Sequence, residues 1–270
     1  GPVIDPSNHL VVVRGGGDLG SGVVWRLSRV GFPVVVLELE RPLTIRRTVA
    51  FSSAITEHAV TIEGIEGRRV ESADAAIAAA KDGLVAVVAA PTVPAFPAPI
   101  SVLVDARLAK QNLDTTRGQA SFVVALGPGF GAGVDCDAVI ETMRGHRLGR
   151  VIWDGPAAIN TGVPGVVGGA SAERVLRAEQ QGIVRWDATF GDVVERGQVL
   201  GWIDGDPVTA PIAGTVRGLL LPGPVSAGLK IGDVDPRFDP AAIHQISDKA
   251  LSIGGGVLEA VLVWLRTSHE

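Results

Sequence analysis

Up to about Asn112, short runs of β-branched residues alternate with stretches of helical periodicity. Apolar runs at Leu10–Val13, Pro33–Glu38, Leu84–Ala89, Ile100–Asp105 and Ser121–Leu126 read as strands, and 20–30 and 72–81 read as helices. That order predicts a parallel sheet flanked by helices. The segment 57–70 alternates polar and apolar residues and adds sheet structure. Further on, "VDCDAVIETMRG" (134–145) has acids at its start and Arg-Gly at its end, which predicts a helix. Arg150–Trp153 predicts another strand, and 154–170 is too apolar for a solvated linker, so it predicts a long ordered loop. Ser247–Leu265 predicts a capped helix interrupted by Gly254, Gly255 and Gly256. Glycine weakens a helix by about 1 kcal/mol relative to alanine, so something must approach that backbone closely.

A weak repeat marks the carboxyl third: Val194, Gly197, Gly201 and Asp204 recur in spacing as Val225, Gly228, Gly232 and Asp235. Two strand-turn-strand copies covering each other's apolar faces predict a small all-β barrel sandwich over 182–236, resembling the biotinyl/lipoyl carrier architecture. The expected hairpin tip, Asp204–Pro207, has no lysine, and Lys230 does not match it. Covalent biotin or lipoyl attachment is therefore not expected. The predicted organisation is a Rossmann-like α/β domain at 10–178, mostly parallel with helices on both sheet faces, the β lobe at 182–236, and a helical segment at 243–266 packing back on the first domain.

Composition narrows the partners. Apolar residues make up 46% of the chain and charged residues 20%, enough for a folded core. A net charge of -5 argues against a nucleic-acid partner, because phosphate backbones draw on a surplus of cations. Residues 83–104 carry no charge, but Pro91, Pro94, Pro97 and Pro99 reject a membrane helix. A lone cysteine, Cys136, and no visible leader fit a cytoplasmic protein, and Gly1–His9 receive no functional weight.

The candidate chemistry gathers around "VVVRGGGDLGSG". Gly15, Gly17 and Gly20 satisfy the G-x-G-x-x-G dinucleotide fingerprint after a strand and at the opening of a helix. Gly15, Gly16, Gly17, Asp18, Leu19 and Gly20 are thus the candidate phosphate turn, although the Asp18 carboxylate sits awkwardly beside a phosphate. Glu38 closes the next strand at the right distance to accept hydrogen bonds from a ribose. Arg46 and Arg47 follow closely and offer charge to phosphates, with a solvated basic pair as the alternative. A second glycine loop, including Gly127 and Gly129, joins Asp105 at the carboxyl edge of the sheet. Acids near that loop suit a sugar or a pterin-like amide ring better than a phosphate. In "MRGHRLGR", Arg144 suits a helix end, while His146 and Arg147 are offered to an anionic ligand or partner.

No G-x-S-x-G elbow, H-E-x-x-H, Walker loop or Cys/His cluster is present, so neither a catalytic residue nor a metal ligand is assigned. Cys136 lies between two carboxylates that disfavour a thiolate. NAD(P) or another nucleotide is the expected ligand. An NAD(P)-dependent oxidoreductase is one outcome, without the Tyr-Lys pair of one large reductase class since the chain has no tyrosine. A docking scaffold is another, and a homo-oligomer is compatible with all of these.

Four blocks carry a broader resemblance: 15–55, "VDARLAKQNL", 125–165 and "ISDKALSIGGGVLEAVL". Together they resemble the YqeB-type family associated with selenium-dependent molybdenum hydroxylases, over about Val11–Leu262. The resemblance implies a kinship in outlook with the XdhC/CoxI accessory proteins and a Rossmann-like lobe. It implies a maturation factor for molybdenum hydroxylases that binds a nucleotide or the molybdopterin dinucleotide, with a hydroxylase subunit as partner. It lends no catalytic residues.

Overall fold

The computed structural model describes residues 3–159 and 166–268, in two compact units. Unit 1 comprises Gly1–Pro42, Ala50–Asn160 and Ile246–Glu270; unit 2 comprises Leu43–Val49 and Thr161–Gln245. Residues 43–49 and those after 160 thus leave the first domain expected from the sequence. The loop expected at 154–170 lies outside the described residues over 160–165.

Unit 1 is built on strands β1 (Val11–Arg14), β2 (Val34–Glu38), β3 (Ala59–Ile62), β4 (Ile65–Arg69), β5 (Val85–Ala89), β6 (Val102–Asp105), β7 (Phe122–Leu126), β8 (Ala138–Ile140) and β9 (Val151–Ile152). Its helices are α1 (Asp18–Arg29), α2 (Ala54–Glu57), α3 (Ala73–Lys81) and α4 (Asp248–Thr267). All nine strands form one sheet in the order β3-β4-β5-β2-β1-β6-β7-β8-β9. The strands from β4 to β8 run parallel, and β3 and β9 close the two edges antiparallel. Central strands such as Val11–Val13 and Val34–Val36 are buried on both faces, which is why they read as unbroken apolar runs.

One sheet face packs on α1 and α4. The other is covered by α3 through Ala76, Ile77 and Ala80, and then by the non-helical residues Phe130, Ala132, Cys136 and Ala157. The helix expected at 134–145 does not form. The Asp135 carboxylate accepts from the Gly131 N–H at 2.9 Å and Asp137 from the Val123 N–H at 2.8 Å, so these acids hold a loop instead of opening a helix. Ala138, Val139 and Ile140 enter the sheet as β8.

The stretch Pro240–Thr267 is long and apolar enough to cross a membrane by length and composition. Within unit 1, α4 buries Ile253, Val257, Val261 and Leu265 in the core shared with Val23, Val24 and Leu27 of α1. Gly22 and Gly254 let the two helices meet backbone to backbone: a Cβ on Gly254 would lie 2.4 Å from the Gly22 carbonyl oxygen.

Unit 2 contains β10 (Val175–Arg177), β11 (Gly182–Trp186), β12 (Val193–Val194), β13 (Val199–Ile203), β14 (Asp206–Thr209), β15 (Gly214–Leu219), β16 (Gly223–Val225) and β17 (Lys230–Asp235). They form two four-stranded antiparallel sheets, β10-β17-β15-β12 and β14-β13-β11-β16. Exchanging β11 with β15, β12 with β16, β13 with β17 and β14 with β10 maps one order onto the other, the structural counterpart of the sequence repeat.

The fold class expected from the sequence is therefore corrected. A Rossmann-like sheet with helices on both faces and a barrel-sandwich lobe gives way to a mixed α/β protein, with one nine-stranded sheet and two separate antiparallel sheets. The physical reason lies after β6, where the chain returns to β7 and β8 through loops and a short 3-10 turn (Arg117–Gln119) rather than through helices.

Candidate functional site

In unit 1 the chain leaves β1 toward β2 on one side, and leaves β6 toward β7 on the other. Adjacent parallel strands whose carboxyl-end connections diverge open a crevice, the usual ligand position in open α/β sheets. The loops after β1 and β6 are the two that would flank such a position as its walls.

Gly15 adopts φ +97°, and a Cβ there would stand 2.8 Å from the Ala106 carbonyl oxygen, so the glycine serves both the turn and the approach of the opposite wall. Gly16 donates its N–H to Glu38 Oε1 at 2.9 Å, and its carbonyl accepts from the Ser52 N–H at 2.9 Å. Ser21 Oγ donates to the same carbonyl at 3.1 Å and accepts from the Phe51 N–H at 2.9 Å. Gly17 caps α1, which begins at Asp18 rather than Gly20. Gly20 packs directly over the Gly15 carbonyl. Gly15, Gly17, Asp18 and Leu19 stay partly exposed while Gly16 and Gly20 are buried.

Glu38 ends β2 beside this turn. Burial pushes its carboxyl above the usual range, against the pull of the Leu39 and Gly16 N–H groups.

The other wall carries an ion network of which only Asp105 was legible in the sequence. Arg14, at the end of β1, is only 2% exposed, and its guanidinium donates to both carboxylate oxygens of Asp114 at 2.6 and 3.2 Å and to the Pro91 carbonyl at 3.2 Å. Arg107 donates to Asp114 at 2.7 Å and grips Asp105 through Nε at 3.1 Å and Nη2 at 2.7 Å. The Thr115 hydroxyl completes the Asp105 shell at 2.7 Å. Signals for this network were present: an arginine closing the apolar run "VVVR", and "DAR" at the end of β6.

Bonding from Arg14 holds the Asp114 carboxyl below the ordinary range, partly opposed by desolvation and reinforced by Arg107. Burial pushes Asp105 up, but Arg107 and Thr115 together outweigh it and leave it low. A carboxyl lowered by folding stabilises the fold above its unfolded value of 3.8, and that contribution is lost as pH falls through the folded value. Urea unfolding should therefore show a lower midpoint at pH 3 than at pH 7, with a smaller acid loss in Asp114→Asn. Equal acid losses in the two proteins would refute the assignment.

The structure brings Gly15, Gly16, Gly17, Asp18, Leu19, Gly20, Glu38 and Asp105 to the carboxyl ends of neighbouring strands β1, β2 and β6. Other predicted residues have different settings. Arg46 and Arg47 belong to unit 2, where Arg46 donates to the Gln245 carbonyl at 3.3 Å. Arg47 donates to the Leu219 carbonyl at 2.7 Å and lies 4.9 Å over the Phe190 ring. Arg47 thus ties segment 43–49 to β15, and Arg46 ties it to the stretch 242–245. His146 and Arg147 occupy an exposed turn after β8, three strands from β1.

Gly127 and Gly129 follow β7 as expected, but their loop leads to a strand. A Cβ on Gly129 would lie 2.6 Å from the backbone of Gln111, so this glycine fits its loop against the one after β6. Cys136 is buried, and burial with Asp135 and Asp137 pushes its thiol up to about 12, so it is no thiolate nucleophile at neutral pH.

The sequence is 48% identical over 265 residues to the uncharacterized protein YqeB of Escherichia coli (strain K12), across 97% of this chain and 49% of YqeB. The chain is similar to half of YqeB. The YqeB-type resemblance is thereby supported over nearly its whole length, and the chain spans about half the length of the curated relative it matches. No family model matches it. Among solved structures, a succinylglutamate desuccinylase/aspartoacylase from Rhodobacter sphaeroides is 25% identical over 24% of this chain and 22% of that one, at a TM-score of 0.22. The ectoine utilization protein EutE (DoeB) from Ruegeria pomeroyi is 13% identical over 83% of this chain and 56% of that one, at a TM-score of 0.25. An aspartoacylase family protein from Mesorhizobium loti is 11% identical over 84% of each chain, also at 0.25. Likenesses at these TM-scores carry no inference about this chain.

Proposed function

We propose that the protein binds a nucleotide, or a molybdopterin-dinucleotide-type cofactor, at the Gly15–Gly20 turn and acts as an accessory factor in the maturation of selenium-dependent molybdenum hydroxylases. The observation that carries this reading is the position of the turn: it joins the end of β1 to the head of α1, where the loops after β1 and β6 diverge. A pyrophosphate would meet the backbone N–H groups at the head of α1, around Gly17–Leu19. Glu38 uses one bond per oxygen on Gly16 and Leu39, and a carboxylate has further lone pairs for a ribose hydroxyl. Asp18 adds a like charge in the first turn of α1, which opposes the close approach of a phosphate to its own carboxylate. The link to molybdenum hydroxylases, and a hydroxylase subunit as partner, rest on the sequence blocks shared with the YqeB-type family.

Calorimetric titration with NAD, NADP, CDP and molybdopterin cytosine dinucleotide tests the reading. Binding of at least one, abolished by Gly17→Asp, is the expected result. No binding to any of them, or binding unaffected by Gly17→Asp, would sink it.

A further inference from the structure

A guanidinium as buried as that of Arg14 needs a compensating anion, because removing a charge from water is costly unless it is paired. Its counter-ion comes from the loop after β6 rather than from the sheet, and Asp114 is 42% exposed against 2% for Arg14. The same carboxylate also bonds Arg107 at 2.7 Å. Asp105, by contrast, is buried and committed to Arg107 and Thr115. Without Asp114, two guanidinium groups face one remaining carboxylate, leaving one positive charge uncompensated at the wall of the crevice.

The loop that supplies Asp114 is under backbone strain. Leu108 and Lys110 both sit in the left-handed region, at φ +54° and +64°, where non-glycine residues are disfavoured. Asn112 holds the loop by accepting from the Thr115 N–H at 2.8 Å and donating to the Thr115 carbonyl at 2.9 Å.

We infer that Arg14 and Arg107 form an anion subsite for a phosphate group, and that Asp114 is a resident carboxylate filling it until a ligand phosphate takes its place. A phosphate offers three oxygens and more charge than a carboxylate, and arginine pairs with it in the same forked geometry. Displacement of Asp114 frees the strained loop 106–115 to rearrange. Unit 1 thus carries phosphate-recognising cations of its own beside the glycine turn. The inference shares the crevice with the nucleotide reading but does not depend on the ligand being a nucleotide.

Inorganic phosphate is the probe, titrated calorimetrically at constant ionic strength into the wild-type protein, Asp114→Ala and Asp114→Asn. Asp114→Ala empties the subsite, and Asp114→Asn keeps its volume while removing the charge, should the alanine variant fail to fold. If Asp114 fills the subsite at least nine-tenths of the time, its removal should tighten phosphate binding by about tenfold or more. The gain should disappear when Arg107→Gln is added to either variant. Unchanged phosphate affinity in both folded variants, or a gain that survives Arg107→Gln, overturns the inference. If those variants take up phosphate while no nucleotide binds the wild type, the subsite stands and the nucleotide reading falls. Nucleotide binding sensitive to Gly17→Asp, with no phosphate gain in the Asp114 variants, leaves the nucleotide reading and removes this one.

Discussion

Gly254→Ala should lose about 1 kcal/mol of stability net, while Gly255→Ala, one residue on, should gain about 0.5–1 kcal/mol. The opposite signs follow from what each new methyl would meet. At Gly254 it would lie 2.4 Å from the Gly22 carbonyl oxygen and 2.8 Å from its carbon, and reciprocally a Cβ on Gly22 would lie 2.3 Å from the Ala250 carbonyl oxygen. These neighbours are backbone atoms of another helix, so no side-chain rotation relieves the clash. Either α1 and α4 separate, weakening the packing of Val23, Val24, Val257 and Val261, or bond angles distort. Overpacking of this kind costs about 1–3 kcal/mol, more than the roughly 1 kcal/mol that alanine gains over glycine in a helix. At Gly255 nothing lies within 4 Å, so only the propensity gain operates. Chemical denaturation of both variants decides it. Equal effects at 254 and 255 would mean the helices do not meet through Gly22 and Gly254.

The same glycines show what the sequence makes legible and where it stops. Three consecutive glycines in an otherwise apolar helix announce a close approach, because nothing local compensates for their cost, but the partner is more than 200 residues earlier. The central strands were readable because burial on both faces writes itself as runs such as Val11–Val13. The helix expected at 134–145 failed for a local reason with a distant cause. Its acids and its Arg-Gly end imitate helix signals, yet Asp137 is bound to the N–H of Val123 in the neighbouring strand. Segment 43–49 joins unit 2 because the Leu219 N–H donates to the Ile45 carbonyl at 2.9 Å, and no periodicity in "RPLTIRRTV" foretells that pairing.

Legibility of the candidate site divides in the same way. The turn from Gly15 to Gly20 was found because its geometry depends on spacing within six residues, and Glu38 because it ends the next strand. Arg14 and Asp114 were missed because they are 100 residues apart and their pairing depends on β1 lying beside β6. An arginine ending an apolar strand is a visible oddity. Only the sheet order shows which carboxylate answers it.

Asp233→Asn should be the most damaging single substitution in unit 2, costing about 3–5 kcal/mol, the penalty for removing one partner of a buried ion pair. Asp233 is 1% exposed and joins two arginines, bonding Arg174 at 2.6 Å through Oδ1 and Arg217 at 2.5 Å through Oδ2. Both arginines are buried as well, and the line of charges runs on through Asp235 to Arg237. An amide at position 233 can accept from one guanidinium through its oxygen, but it turns an N–H donor toward the other, so one buried cation loses its counter-charge and gains an opposing dipole. Asp235 compensates only in part: it lies 3.8 Å from Arg217, and Arg237 already bonds its two oxygens at 2.9 and 2.7 Å. The contrast is Asp187→Asn, which breaks the exposed Arg185–Asp187 pair at 3.2 Å and should leave stability almost unchanged, because water screens that pair. Thermal unfolding of the two variants beside the wild type measures the difference. A shift of similar size for both would show that the charges around Asp233 are solvated, and that β15 and β17 are held by their backbone ladder and apolar face without help from that ion pair.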